Sequence, residues 1–165
     1  MYKRQYIGNQ LAHHGVEPSA NLVIRDNPED IRLFFSDAWK RSDLVITTGG
    51  LGPTTDDITR ENIAKALDEE LVFDPTIENA LKERFSDLAR PMPEINLRQC
   101  YRPANSEVLK NPFGTAPGLW LKKEGKILVM LPGPSREMHP MFEDQVIPRL
   151  QKEGVFPEID CYLQI

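Results

Sequence analysis

Asp43-Leu44-Val45-Ile46-Thr47-Thr48-Gly49-Gly50-Leu51-Gly52-Pro53-Thr54-Thr55-Asp56-Asp57 joins an unbroken apolar run to a glycine-rich loop. A strand that is apolar on successive residues expects burial on both faces, which is how strands of parallel sheets read. The loop then falls at the strand's carboxyl end, where open α/β sheets bind ligands. Upstream, Pro28 to about Lys40 predicts a helix, with Asp26 and Asn27 before the proline as a start signal and Ile31, Phe34, Phe35 and Ala38 facing inward. Ala20 to Arg25 reads as a short strand, and Tyr6 to His14 as a helix closed by Gly15. This alternation of strand and helix predicts an α/β domain whose mostly parallel sheet is covered on both faces.

Downstream, a helix capped by Thr59 and another over Pro75 to Leu88 are expected, followed by a break at Arg90-Pro91-Met92-Pro93. Gly118-Leu119-Trp120-Leu121, the turn Lys123-Glu124-Gly125 and Ile127-Leu128-Val129-Met130-Leu131 read as a hairpin. Pro132-Gly133-Pro134 ends it. A last amphipathic helix from about Arg136 to Leu150 carries Met138, Met141, Phe142, Val146, Ile147 and Leu150, more apolar residues than one face needs, which hints at a homo-oligomer. Residues 6–150 are thus expected to form one domain, with 151–165 a tail that could add a strand.

The chain has 165 residues, with 20 Lys plus Arg against 25 Asp plus Glu and a formal charge of −5. Without a basic block, nucleic acid is not an expected partner. No run of about 18 apolar residues offers a membrane span, so a cytoplasmic protein is expected. Cys100 and Cys161 lack metal-ligand spacing and read as buried or partly buried thiols. His13, His14 and His139 likewise have no such spacing and read as surface residues. Trp39 and Trp120 read as core.

Glycines at 49, 50 and 52 let a backbone approach a phosphate and turn its amides toward it. No Gly-Lys-Ser/Thr follows, and Thr55 occupies the third glycine position of a dinucleotide fingerprint, so the spacing alone does not separate a phosphate loop from a tight connection. Asp56 and Asp57 could cap the next helix or hold a magnesium-type cation against substrate phosphates. In Gly133-Pro134-Ser135-Arg136-Glu137 the second glycine of a nucleophile elbow is replaced by Glu137, and Ser135 reads as a helix cap.

The glycine-loop stretch, Arg90-Pro91-Met92-Pro93-Glu94, Asn111-Pro112-Phe113-Gly114-Thr115-Ala116-Pro117-Gly118 and Leu131-Pro132-Gly133-Pro134-Ser135-Arg136-Glu137-Met138 together resemble the N-terminal domain of the CinA, competence/damage-inducible, family over about Tyr6 to Leu150. That family is similar to the MoaB/Mog group. The resemblance implies a three-layer α/β/α, molybdopterin-binding fold, and a pyrophosphatase that acts on ADP-ribose with a divalent metal, magnesium or cobalt. The alternatives are a molybdopterin or nucleotide binding module without turnover, and an inactive fragment. By the resemblance, Thr48, Gly49, Gly50, Gly52 and Thr54 hold the phosphorylated nucleotide or pterin, with Pro132, Gly133 and Ser135 on the opposite wall. Asp56 or Asp57 holds the metal, and Asp26 joins them as a catalytic acid. The family pattern opens with a further strand and a Gly-x-Glu-Leu-type loop, so the chain reads as a fragment without that first strand, truncated at both ends.

Overall fold

The computed structural model describes residues 3–157. The glycine loop does follow a strand, β1 (Leu44–Thr48), which pairs in parallel with β6 (Lys126–Leu131). Beyond that pair the sheet is antiparallel. β5 (Gly118–Lys123) joins β6 through a two-residue turn at Glu124 and Gly125, both at positive φ (55° and 76°), and β4 (Ser106–Leu109) runs against β5. The order is β1-β6-β5-β4. A separate antiparallel ribbon pairs β2 (Leu71–Phe73) with β3 (Tyr101–Pro103).

The expected mostly parallel sheet is therefore corrected to a mixed, mostly antiparallel one within a three-layer α/β/α fold. The reason is the length of the connections. A parallel neighbour needs a crossover of a dozen or more residues, and the links between β4, β5 and β6 are too short to return the chain to the same end. Alternating strand and helix over residues 20–66 suggested that crossovers would continue.

The strands divide their side chains between two apolar layers, as the two-residue period requires. Trp120, Ile127, Val129 and Leu131 face α1 (Lys3–His13), α5 (Ser135–Met141) and α6 (Ile147–Lys152), which bring Ile7, Leu11, Met138, Met141 and Leu150. Leu119, Leu121, Leu128 and Met130 face α2 (Pro28–Arg41) and α3 (Thr59–Ala66), which bring Ile31, Phe35, Trp39 and Ile63. A smaller third cluster holds α4 (Pro75–Asp87) through Ile77 and Leu81 against Cys100, the last residue of a 3₁₀ helix over Glu94–Cys100.

Local chemistry explains most element ends. Asn27 caps α2, its Oδ1 accepting from the Glu29 and Asp30 amides at 2.9 and 3.1 Å. Gly15 closes α1 with the Val16 amide on Leu11 O at 3.0 Å, as expected. Thr59 and Ser135 do not act as caps. Each is the first residue of its helix, preceded by Ile58 and Pro134, and neither helix has a side-chain cap. The last helix is not continuous: α5 passes into a π-turn over Phe142–Val146 before α6. Pro148 lacks the N–H that an α-helix would use there, and the Ile147 amide donates to Phe142 O instead.

Ala20 to Arg25 forms no strand. Ile24 packs on the second layer, whereas Leu22 and Val23 are exposed. The apolar surplus of the last helix is accounted for inside the chain: Met138, Met141, Phe142, Val146 and Leu150 are all fully buried between the sheet and α1. Trp39, Trp120 and Cys100 are buried as expected, while Cys161 and the expected tail strand, from residue 158 on, lie outside the described residues. His13 is exposed, but His139 stacks on Tyr6 at 3.6 Å and is partly buried. The Tyr6 hydroxyl donates to Glu143, and burial followed by that carboxylate raises the phenol well above its usual range. No helix among the described residues is long and apolar enough to cross a membrane.

Candidate functional site

β1, β6 and β4 all end at the same edge of the sheet, because β4 and β6 both run against β5 and β1 runs with β6. Three connections therefore meet there: the glycine loop after β1, the Pro132-Gly133-Pro134 turn after β6 and residues 110–117 after β4. They enclose a cleft of about 440 Å³ that also takes in Arg84 and Leu88 from the end of α4. The Gly49 amide donates to Leu131 O at 2.9 Å, which seats the first two connections side by side.

The loop is built for close approach. Gly50 has a φ of 68°, and a β-carbon there would fall on the Thr59 side chain; one at Gly52 would fall on the Asp57 carboxylate. Asp57 Oδ2 accepts from the Thr54 amide at 3.1 Å and from its hydroxyl at 2.5 Å, so this carboxylate folds back to hold the loop. Arg98 grips the loop from outside, donating to Thr54 O at 2.5 Å, Pro53 O at 3.3 Å, Asp57 O at 3.4 Å and Glu61 Oε1 at 3.3 Å. With these bonds made, the amides of Gly50, Leu51 and Gly52 donate to no group among the described residues. All three residues line the cleft.

The other walls are also braced. Asn111 Oδ1 accepts from the Phe113 and Gly114 amides at 3.0 and 2.8 Å, and its Nδ2 donates to Ala116 O and Glu137 Oε2, each at 2.8 Å. Arg84 Nη1 donates to Pro112 O at 3.0 Å, and the buried Gln99 donates to the Thr115 hydroxyl at 3.2 Å.

Of the residues expected at the site, Gly49, Gly50, Gly52, Asp57, Pro132 and Gly133 line the cleft, whereas Thr48, Thr54, Asp56, Ser135 and Asp26 do not. Asp56 is exposed, and Asp26 is exposed on the segment before α2. Among the described residues no group of three or more His, Cys, Asp or Glu side chains is placed to hold a metal ion. The metal site expected at Asp56 and Asp57 is thereby corrected: Asp57 spends an oxygen on Thr54 and Asp56 does not join it in the cleft. The metal-dependent ADP-ribose pyrophosphatase expected from the resemblance, which needed that donor set, goes with it.

Sequence reading missed Arg98, Arg84, Gln99 and Glu137. Each acts across a large separation, as between Arg98 and the loop 41 to 45 residues earlier, and no local pattern marks such a pair. Arg98→Ala is expected to cost about 1–2 kcal/mol of stability, since some of its bonds are replaced by water. Urea unfolding reads this, and an unchanged midpoint would mean that the loop holds itself.

A profile described as "Probable molybdopterin binding domain" matches residues 3–152. A protein of Clostridium botulinum (strain Loch Maree / Type A3), provisionally described as competence-damage inducible, is 47% identical over 148 residues, covering 90% of this chain and 36% of its own length. The chain thus spans little more than a third of the curated relatives it matches. CinA from Thermoplasma acidophilum, whose structure is described as of unknown function, superposes with a TM-score of 0.80 at 32% identity, over 87% of this chain and 84% of that one. The molybdopterin biosynthesis enzyme MoaB of Thermus thermophilus shares the fold at a TM-score of 0.57 and 19% identity, over 94% and 84% of the two chains.

Proposed function

Because the chain belongs to the molybdopterin-binding domain family that holds the CinA and MoaB/Mog proteins, we propose that it is a binding module for a small phosphorylated pterin or nucleotide. The observation that carries this reading is the run Gly50, Leu51 and Gly52 on the cleft wall, whose amides donate to no group among the described residues. Unmet backbone donors beside glycines form an anion-binding concavity, and an oxyanion satisfies them without any metal ligand. Arg84 and Arg136 stand on the same cleft and supply local positive charge on a chain of net charge −5. A cleft of about 440 Å³ is within the range of small-ligand sites. Gly49, Gly50 and Gly52 hold the phosphate in this reading, and Pro132 and Gly133 form the facing wall.

Gly52→Ala is the direct test, because its β-carbon displaces the Asp57 carboxylate and with it the loop. Titration calorimetry with a pterin monophosphate or a nucleoside monophosphate is expected to show saturable binding that inorganic phosphate competes away. In the variant affinity should fall by roughly tenfold or more, the loss of at least one charge-assisted hydrogen bond. Equal binding by the variant, or no competition by phosphate, would remove the glycine loop from the site.

A further inference from the structure

β1 stands at the end of the sheet order, with its outer edge open among the described residues. At the two ends of its pairing with β6, the Ile127 amide donates to Asp43 O at 2.8 Å and the Gly49 amide to Leu131 O at 2.9 Å. Along a paired strand, residues that bond the neighbour alternate with residues turned away from it. Val45 and Thr47 therefore face β6, and Leu44, Ile46 and Thr48 direct their N–H and C=O groups outward. Those outward groups bond to nothing among the described residues.

The opposite edge of the sheet is handled differently. On β4, Ser106 O accepts from Arg102 Nη1 at 2.6 Å, and just past its end Gln145 bonds both the amide and the carbonyl of Lys110, at 2.9 and 2.7 Å. β4 also carries the charge of Glu107. β1 has no charged side chain, no proline and no such cover, the features that otherwise blunt an edge strand. The elements packed beside it add apolar surface. Leu33 and Phe34 of α2 are exposed, and so are Leu22 and Val23, next to an Ile24 that packs in the layer holding Val45. An extended strand is the element that meets donors and acceptors alternating along an edge.

We propose that this edge is an interface between two copies of the chain, in which β1 pairs antiparallel with β1 of the second copy about a two-fold axis at Ile46. The strand is self-complementary in that register. Ile46 meets Ile46 and Leu44 meets Thr48 of the second copy, all residues whose N–H and C=O already point at the edge. Each pair exchanges both its bonds, and no outward group is left over. Each copy carries a net charge of −5, yet the paired run holds no charge, and Asp43 falls opposite Gly49 of the second copy rather than opposite another acid. Leu44 and Ile46 of both copies lie on the α1 face, so that apolar layer continues across the seam. An unrelated strand would satisfy the backbone bonds alone; the apolar pairing and the uncharged register are what a second copy supplies.

Sedimentation equilibrium of the whole chain from micromolar to near-millimolar concentration, with amide exchange followed by NMR at both ends of that range, tests this. A monomer–dimer equilibrium is expected. Exchange at Leu44, Ile46 and Thr48 should slow by about tenfold or more as the dimer fills, while Val45 and Thr47, already bonded to β6, keep the same rate. Thr48→Lys, at an exposed position, sets a cation beside Leu44 of the second copy and should raise the dissociation constant of the dimer by about tenfold or more. A thermal melt checks that this variant folds; should it not, the exchange pattern of the unaltered chain decides. A chain that stays monomeric with the three amides exchanging freely leaves the edge to an unrelated strand and overturns the proposal. Protection of those amides in the monomer puts another segment of this chain on the edge, and a dimer without their protection puts the interface elsewhere. Either result overturns it, as does a folded Thr48→Lys that dimerises unchanged.

Discussion

Phe142→Ala is expected to lower the free energy of unfolding by about 3–5 kcal/mol, the range for emptying a fully buried aromatic position. For a domain of this size that is a fall in Tm on the order of 10 °C. Phe142 is completely buried where the π-turn begins, in the layer formed by Met138, Met141, Val146 and Leu150 with Trp120, Val129 and Leu131 of the sheet. Tyr6 of α1 meets it edge-on, ring centroids 6.5 Å apart. The surroundings cannot close over the gap, because the sheet fixes one side and the Ile147–Phe142 backbone bond fixes the turn. Phe142→Leu keeps most of the volume and should cost much less, under about 2 kcal/mol. Chemical denaturation of the two variants reads the difference. A loss below about 1 kcal/mol in the alanine variant would mean that α1 and the turn collapse together, which would contradict a rigid layer.

Much of this layering is legible in the sequence where a pattern is both long and local. The apolar run at residues 44–48 marks a strand by its β-rich composition just before a glycine pair, although at the end of the sheet order its residues are only half-buried or exposed, and the hairpin at residues 118–131 is set by its turn. Asn27 before Pro28 places the start of α2. What the pattern does not carry is direction and partnership. Ala20–Arg25 has the composition of a strand, yet it stays irregular and leaves Leu22 and Val23 in solvent. β2, β3 and β4, of three, three and four residues, are too short for a period to declare itself. Parallel pairing of β1 with β6 joins residues more than eighty positions apart, and the antiparallel run beyond it follows from turn lengths rather than from hydrophobicity.

The same division holds at the cleft. Glycines at 49, 50 and 52 announce themselves, since close approach and positive φ are demands that sequence displays directly. Asp56 and Asp57 look alike on paper and differ in space: one folds back on Thr54 and the other faces water. Adjacent acids invite a metal reading, but ligation requires convergence, which adjacency does not supply. Glu137 stands in a motif that was visible all along. Its burial and its bond to Asn111 exist only once β4 and β6 end side by side.

Asp74→Ala is expected to destabilise the chain by about 2–4 kcal/mol, combining a lost helix cap with a broken, largely buried ion pair. Asp74 Oδ1 accepts from the Thr76 amide at 2.8 Å and its hydroxyl at 2.6 Å, which caps α4. Oδ2 pairs with Arg102 Nε of β3 at 2.6 Å. Burial alone would raise this carboxyl, but Thr76 and Arg102 outweigh it and hold it down to about 2, from an ordinary 3.8. A folded-state value below the unfolded one gives stability that is complete above about pH 4–5 and is lost as pH falls toward 2, in amount on the order of 2 kcal/mol. The gap between the unaltered chain and Asp74→Ala should therefore be constant near neutrality and narrow through that acid window in denaturant titrations at stepped pH. A gap that stays constant down to pH 2 would assign the loss to packing rather than to charge. The consequence reaches the cleft, because α4 carries Arg84 and Leu88 to its rim: loosening the start of that helix should weaken ligand binding while leaving the glycine loop, held by Arg98 and Asp57, in place.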